Sequence, residues 1–159
     1  MPALPPPRTP PVALAALPGY QVRRLHQIAV ATFLQETAPT GLTPVQYAVL
    51  QCVANTPGLD QRRLAAAIGQ DTSTLGGVLD RLEARGLLKR QAAIEDRRVR
   101  RLALTGAGEA LLARALPGML RAQSRMLQPL PAPERAEFMR LLQTLVDANN
   151  DLSRAPGGG

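Results

Sequence analysis

Two consecutive helical segments, each with a defined start and stop, constrain the fold of this chain most strongly. Asp60 can cap a helix that Gly69 ends, and Asp71 can cap a second helix that Gly86 ends. The second segment carries an apolar stripe at helical spacing, formed by Leu75, Val78, Leu79 and Leu82. So short a connection between two such helices predicts a helix-turn-helix, in which Gly69 supplies the left-handed residue of the turn.

The hydrophobic period changes directly after the second helix. Residues 87–92 and 99–104 are two short stretches typical of strands, and a charged turn at 94–98 separates them. A β-hairpin that follows a helix-turn-helix at once predicts a winged helix-turn-helix lobe. The second helix then buries its apolar stripe and leaves the opposite face open to the major groove of duplex DNA.

The rest of the chain is predicted to be mostly helical. Thr43 and Thr105 are start signals, and Pro39 and Pro57 mark places where helices end. The expected helices span residues 20–37, 44–55, 61–68, 72–85, 106–128 and 134–150. We therefore expect a mainly α fold with a small β-hairpin wing.

The charge of the chain points to an anionic partner. The formal net charge is +7, and Lys89 is the only lysine. Residues 81–101 hold eight basic and three acidic residues, so most of the excess lies on the second helix and the hairpin. Two phenylalanines, two tyrosines and no tryptophan are too few rings for a platform that stacks single-stranded bases, which favours duplex DNA.

Composition argues against several other classes of protein. One cysteine, Cys52, and one histidine, His26, cannot form an internal disulfide or a metal cluster, so we expect no cofactor. No apolar run reaches the roughly 18 residues of a membrane span, and the proline-rich start does not resemble a signal peptide. The expected location is the cytoplasm, without a membrane partner. Since no nucleophile–base pair or phosphate loop is present, an enzyme is the less favoured hypothesis.

Candidate DNA-binding residues follow from these placements. The open face of the second helix, which also carries Asp80, offers Thr72, Ser73, Gly76, Gly77 and Arg81. The start of the first helix offers Arg62, and the wing turn offers Arg97 and Arg98. Two exposed helix glycines cost about 1 kcal/mol each relative to alanine. Either Gly76 and Gly77 let the backbone approach the base edges, or they reflect drift on a solvent face. In both cases few side chains remain for direct readout, which favours readout of DNA shape.

Several segments, in order and at matching spacing, resemble the multiple-antibiotic-resistance regulator (MarR) family of bacterial transcription factors. They are Leu42–Tyr47, Leu64–Gly69, Leu79–Leu88, the wing Asp96-Arg97-Arg98, Leu102–Thr105 with Gly108, and Glu134–Leu142, within roughly residues 20–150. The resemblance implies an obligate homodimer on a two-fold DNA site, commonly with repression relieved by a small phenolic or aromatic acid. It also implies that Asp96 braces the hairpin while Arg97 or Arg98 enters the minor groove.

The resemblance also divides the chain into functional regions. The regions are a proline-rich arm at 1–18, a first dimerisation helix at 19–41, a DNA-binding lobe at 42–105, C-terminal dimerisation helices at 106–152 and a flexible tail at 153–159. The apolar residues of 106–128 exceed what the small lobe can cover, as does the stripe around Leu141 and Leu145. These residues need a partner, which favours the homodimer on physical grounds as well.

The family architecture places an effector cleft where the dimerisation helices meet the lobe. In this chain the first two helices can offer Arg23, His26, Tyr47 and Gln51 to such a cleft. A mostly apolar cleft with an arginine and a histidine suits a small flat aromatic carboxylate or phenol. Plainer interpretations stay open, because His26 fits an interface histidine and Tyr47 fits simple core packing.

Two further alternatives concern the mode of regulation. Cys52 could act as a redox sensor, but its apolar neighbours favour a buried structural thiol. A winged helix can also serve as a protein-interaction module without an effector. The basic hairpin argues against that use.

Overall fold

The computed structural model describes residues 10–153, so residues 1–9 of the predicted arm and 154–159 of the predicted tail lie outside it. Helices and strands follow in the order α1 (Pro18–Glu36), α2 (Pro44–Asn55), α3 (Gln61–Ile68), α4 (Thr72–Ala84), β1 (Leu88–Ala92), β2 (Arg100–Leu104), α5 (Gly106–Leu127) and α6 (Ala132–Asn149). Short 3-10 turns occupy Leu14–Ala16, Ala38–Thr40 and Asn150–Leu152. The predicted fold class, mainly α with one antiparallel hairpin, is confirmed.

The helix starts are held by the side chains that the sequence pattern indicates. Thr43 forms a capping box with Gln46 at the start of α2. The carboxylate of Asp60 accepts from the backbone N–H of Arg63 at 2.8 Å, which caps α3. Helix α6 begins two residues before the predicted start, so Glu134 lies inside its first turn, and its N-cap residue Pro131 has no side-chain acceptor to cap it.

The hairpin also makes a single isolated β-bridge to the start of α3, which the sequence did not reveal. Strands β1 and β2 pair antiparallel, from Leu88 opposite Leu104 to Ala92 opposite Arg100. Asp60 bridges to Arg101 on the free edge of β2, and the N–H of Leu102 donates to the carbonyl of Leu59 at 2.8 Å. The wing is therefore tied by its backbone to the start of α3.

One hydrophobic core fills the lobe and extends along α1 and α5. The side chains that are completely or almost completely buried include Leu50, Leu64, Leu75, Leu79, Leu82, Leu88 and Leu102. On the α1–α5 side the core continues with Phe33, Ala115 and Ala122. A Cβ at Gly118 would collide with the carbonyl of Glu36, so glycine lets these two helices approach closely.

An ion-pair cluster joins the end of α1 to α5. Arg121 and Arg125 each donate to the carboxylate of Glu36 at 2.8 Å. The hydrogen bond from Arg121, followed by that from Arg125, holds the pKa of Glu36 below its usual range. This contact fixes α1 relative to α5 next to the Gly118 crossing.

The outer faces of α1, α5 and α6 leave large apolar side chains in solvent. Exposed residues include Val22, Ile28, Leu116, Leu120, Met139, Leu141, Leu145 and Val146, and no residue of α6 is buried. Leu145, for example, is 59% exposed. So many exposed apolar side chains on three helices are typical of an interface. No helix within residues 10–153 is long and apolar enough to cross a membrane.

Candidate nucleic-acid interface

Helix α4 has the two faces required of a recognition helix. Its apolar stripe is buried in the lobe, while Thr72, Ser73 and Arg81 are exposed on the other side. Asp71 caps the helix by accepting from the backbone N–H of Thr74 at 2.7 Å. Hydrogen bonds from Thr74 hold the pKa of the Asp71 carboxyl below its usual range, so this cap stays ionised at neutral pH.

The glycine pair of α4 is half-buried rather than fully exposed, which corrects the expectation from sequence. Gln61 of α3 lies beside Gly76 and donates to the carbonyl of Thr72 at 3.1 Å, while Arg81 lies over Gly77. A Cβ would lie 3.4 Å from Gln61 Nε2 at position 76 and 3.7 Å from an Arg81 nitrogen at position 77. These are ordinary contacts, so packing within the protomer does not require glycine at either position.

The wing turn presents its arginines on an ordered backbone. The carboxylate of Asp96 accepts from the backbone N–H of Arg98 at 2.9 Å, and the side chains of Arg97 and Arg98 are exposed. Arg101 pairs with Glu95 at 3.2 Å across the base of the turn. The Asp96 contact is the geometry expected of a residue that braces the turn.

A salt-bridge clamp between the wing and the recognition helix was not foreseen from sequence. Arg90 of β1 donates to Asp80 at 2.8 Å and to Glu83 at 2.7 Å, and its backbone N–H donates to Glu83 at 3.3 Å. Partial burial acts to lower the pKa of Arg90, but the hydrogen bonds to the two carboxylates outweigh it and raise the pKa. The clamp thus places one positive charge beside two carboxylates, of which Asp80 lies on the face predicted to contact DNA.

Arg62 adds a cationic position at the start of α3. Its side chain is exposed, as is that of the adjacent Arg63, which lies 3.9 Å from Asp60. Helix α3 precedes the recognition helix in the motif, where the first helix crosses the phosphate backbone. All the predicted DNA-binding residues therefore lie on α3, α4 and the wing of one lobe.

The described protomer does not bring the four predicted effector residues into one cavity. The guanidinium of Arg23 lies 5.4 Å from the ring centre of Tyr20, on the surface of α1. His26 lines an apolar groove of about 510 Å³ between α1, α5 and α6. Neither Tyr47 nor Gln51 contributes to the walls of that groove.

Tyr47 and Gln51 lie together on α2, on the side of the lobe. The Tyr47 ring is buried edge-on to Phe33, with ring centres 5.7 Å apart, and burial raises the pKa of its hydroxyl. That hydroxyl donates to Gln51 at 3.0 Å, and Gln51 donates in turn to Asn55 at 2.8 Å. Gln51 also lines a smaller cavity of about 280 Å³ between α2, β2 and α5.

Neither a reactive thiol nor a metal centre is indicated among the described residues. Cys52 is half-buried against the core, and burial raises the pKa of its thiol, which disfavours the reactive thiolate. Within residues 10–153 no group of three or more His, Cys, Asp or Glu side chains could hold a metal ion.

A basic wing beside a capped helix-turn-helix defines a winged helix DNA-binding protein. The family model for the MarR family matches residues 40–99. The transcriptional regulator HosA of Escherichia coli is 35% identical over 128 residues, which cover 80% of this chain and 93% of HosA. The chain belongs to the MarR family and is a transcriptional regulator, as its sequence predicted.

Two solved structures extend the comparison. The transcriptional repressor CouR, of Rhodococcus jostii, bound to a 23-mer DNA duplex, has 34% sequence identity and a TM-score of 0.79 over 84% of this chain and 94% of CouR. BpsR of Bordetella bronchiseptica, whose DNA binding is regulated by 6-hydroxynicotinic acid, has 29% identity and a TM-score of 0.82 over 87% of this chain and 99% of BpsR. Both likenesses span the lobe and the long helices.

Proposed function

We propose that the protein is a homodimeric repressor that binds pseudo-palindromic duplex DNA. The proposal rests on the observation that one protomer combines a basic lobe with a separate face of exposed apolar side chains. The helices that bear this face, α1, α5 and α6, enclose the groove around His26, Phe138 and Leu142. A second copy covering the face would place two recognition helices on one side of the dimer.

In this proposal each lobe reads one half-site. Helix α4 enters the major groove through Thr72, Ser73 and the flat surface at Gly76 and Gly77, while Arg62 and Arg81 contact phosphates. Arg97 or Arg98 enters the adjacent minor groove from the wing that Asp96 braces. With so few side chains on the α4 surface, much of the specificity comes from DNA shape and from the wing.

We further propose that a small aromatic acid releases the DNA. Supporting observations are the regulation of BpsR by 6-hydroxynicotinic acid and the binding of p-coumaroyl-CoA by CouR. Val22, Leu141 and Leu145 of the His26 groove also belong to the apolar face, so in the proposed homodimer the second copy forms part of the wall of this small-molecule site, with the imidazole at its edge. Arg23 lies three residues before His26 on α1, and the Tyr47 hydroxyl, which donates to Gln51, lies outside the walls of this groove.

The DNA-binding part is tested by size and by gel shift. Light scattering should give twice the chain mass of 17.0 kDa at micromolar concentration. A duplex from upstream of the protein's own gene should be retarded, with an affinity that falls steeply as salt rises. A monomer that binds no duplex would contradict the proposal.

The effector part is tested with two probes, 6-hydroxynicotinate and 4-hydroxybenzoate. At least one should raise the melting temperature and weaken binding to the retarded duplex. His26→Ala should blunt the response and leave DNA binding largely intact. Gln27→Ala, an adjacent exposed position on α1, is the matched control. An equal response in wild type and His26→Ala would remove His26 from the site.

A further inference from the structure

Hydrogen bonds from several elements of the lobe meet at the turn that ends the recognition helix α4. Arg85 is the last residue of α4 with right-handed helical backbone angles. Gly86 follows it in the left-handed region, with φ of 69°. The N–H of Leu87 returns to the carbonyl of Leu82 at 3.0 Å, and that of Gly86 returns to Glu83 at 2.9 Å. These bonds fix the direction in which the chain leaves α4.

The same turn holds the start of α5. The Thr105 hydroxyl donates to the carbonyl of Gly86 at 2.6 Å, and the Thr105 N–H donates to the carbonyl of Leu87 at 3.2 Å. A Cβ at Gly108 would collide with that same Leu87 carbonyl, so α5 lies directly against the turn. Helix α5 leads from here to the apolar face.

The side chain of Arg85 reaches across to the connection between α1 and α2. Its guanidinium donates to the carbonyl of Thr40 at 3.2 Å and to that of Gly41 at 3.4 Å. Thr40 is buried, and its hydroxyl donates to the carbonyl of Thr37 at 2.7 Å. Thr37 is also buried and donates to the carbonyl of Phe33, in the last turn of α1, at 2.8 Å. A continuous set of hydrogen bonds thus links the end of α4 to the end of α1.

We propose that Arg85 is a positioning residue that sets the angle between the recognition helix and the dimerisation helices, and so sets the half-site spacing that the protein accepts. The inference rests on the proposed homodimer. Contacts at Gly86 and Leu87 hold α4 to α5, and Arg85 supplies a contact to the connection after α1 on a second side. The buried stripe of α4 packs this helix in the lobe core, and the two contacts on different sides add a restraint on its angle to the dimerisation helices.

The experiment measures spacing selectivity rather than affinity alone. A preferred duplex is selected from a randomised library with the wild-type protein, and two further duplexes move its half-sites one base pair closer or farther, about 3.4 Å each. Fluorescence anisotropy gives the dissociation constants of wild type, Arg85→Met, Arg85→Lys and the control Arg114→Ala, an exposed position on α5.

Wild type and Arg114→Ala should prefer the selected spacing by about tenfold. For Arg85→Met the preference for the selected spacing should fall to about twofold, because the charged hydrogen bonds of Arg85 are lost. The salt dependence of binding should be unchanged. Arg85→Lys should lie between them, and it carries the test if Arg85→Met does not fold.

Three results would overturn the proposal or its basis. An unchanged spacing ratio in a folded Arg85→Met protein would show that Arg85 does not set the angle. A uniform loss at all spacings with a shallower salt dependence would make Arg85 a phosphate contact instead. If the wild type shows no two-fold site at all, the proposed homodimeric function itself fails.

Discussion

Arg90→Ala should weaken DNA binding, because it leaves the carboxylates of Asp80 and Glu83 without their positively charged partner. Arg90 is 23% exposed, whereas its partners Asp80 and Glu83 are 70% and 41% exposed. Charged hydrogen bonds contribute about 1.5–3 kcal/mol when sheltered, and exposed ion pairs contribute about 0.2–1 kcal/mol. After discounting for solvent we expect Arg90→Ala to lower the free energy of unfolding by about 1–1.5 kcal/mol.

The effect on DNA follows from the unmasked charge. Two unit charges in water about 8 Å apart interact by about 0.5 kcal/mol before screening, roughly a factor of two in affinity, and salt with a Debye length of about 8 Å reduces this to about 0.2 kcal/mol. Arg90→Ala removes one cation near the phosphates and leaves both carboxylates in place, so affinity should fall by about twofold at low salt and by less at physiological salt. Because Coulomb interactions add, Asp80→Asn should strengthen the complex by up to about twofold at low salt in the wild-type background and in the Arg90→Ala background alike.

The assay is urea unfolding for stability and fluorescence anisotropy at low and physiological salt for DNA. The gain from Asp80→Asn separates charge repulsion from general damage, because a merely destabilised lobe would not bind better after a second substitution. Arg114→Ala serves as the control for loss of one positive charge. If Asp80→Asn gave no gain in the Arg90→Ala background, the reasoning about an unmasked carboxylate would be refuted.

Three other predictions concern the wing, the turn and the α1–α5 cluster. Of the variants Arg97→Ala and Arg98→Ala, the one that removes the residue in the minor groove should weaken operator binding by about 1–3 kcal/mol, measured by anisotropy at 150 mM salt. Wild-type affinity in both variants would contradict the wing assignment. Gly108→Ala should lower the free energy of unfolding by about 2–3 kcal/mol because its Cβ meets a backbone carbonyl, while Gly106→Ala, where a Cβ meets nothing, should not. The pKa of Glu36 is lowered from the ordinary value of 4.5, so its stabilising contribution is present above that pH and is lost as the pH falls through the lowered value. Urea unfolding should therefore show wild type more stable than Glu36→Gln at pH 7 and the difference vanishing in acid.

Helix boundaries were predictable because their signals are local. Thr43, Asp60, Asp71 and Thr105 each cap the helix that they precede, since a capping oxygen needs an N–H only three residues away. The positive φ at Gly69 likewise follows from the residue type and its place in the turn. These signals fix the order of elements and hence the winged helix.

Long-range partners were not predictable from the sequence. Arg90 pairs with Asp80 and Glu83 only once the twist of the hairpin relative to α4 is known, and no periodicity encodes that angle. The backbone pairing of Asp60 with Arg101 likewise joins residues that are far apart in the chain. Such contacts depend on how finished elements dock together.

The effector residues show the same limit. Sequence placed His26 and Tyr47 on helices that line one cleft of the family, but which face a helix presents depends on its rotation about its own axis. In the protomer His26 faces α5 and α6, while the Tyr47 ring packs on Phe33. In the proposed homodimer, the second copy of the chain would determine how far the two residues lie from one ligand.

The glycine pair in the middle of the recognition helix, Gly76 and Gly77, affects how this protein could change its DNA target. Although both glycines are half-buried, a Cβ at Gly76 or Gly77 would meet only ordinary contacts. Replacing either glycine should also favour the helix, by up to about 1 kcal/mol. Mutations that add base-reading groups there would therefore leave the fold at least as stable as before. The operator preference of this protein is open to adaptation, in nature or by design, through two single-residue steps.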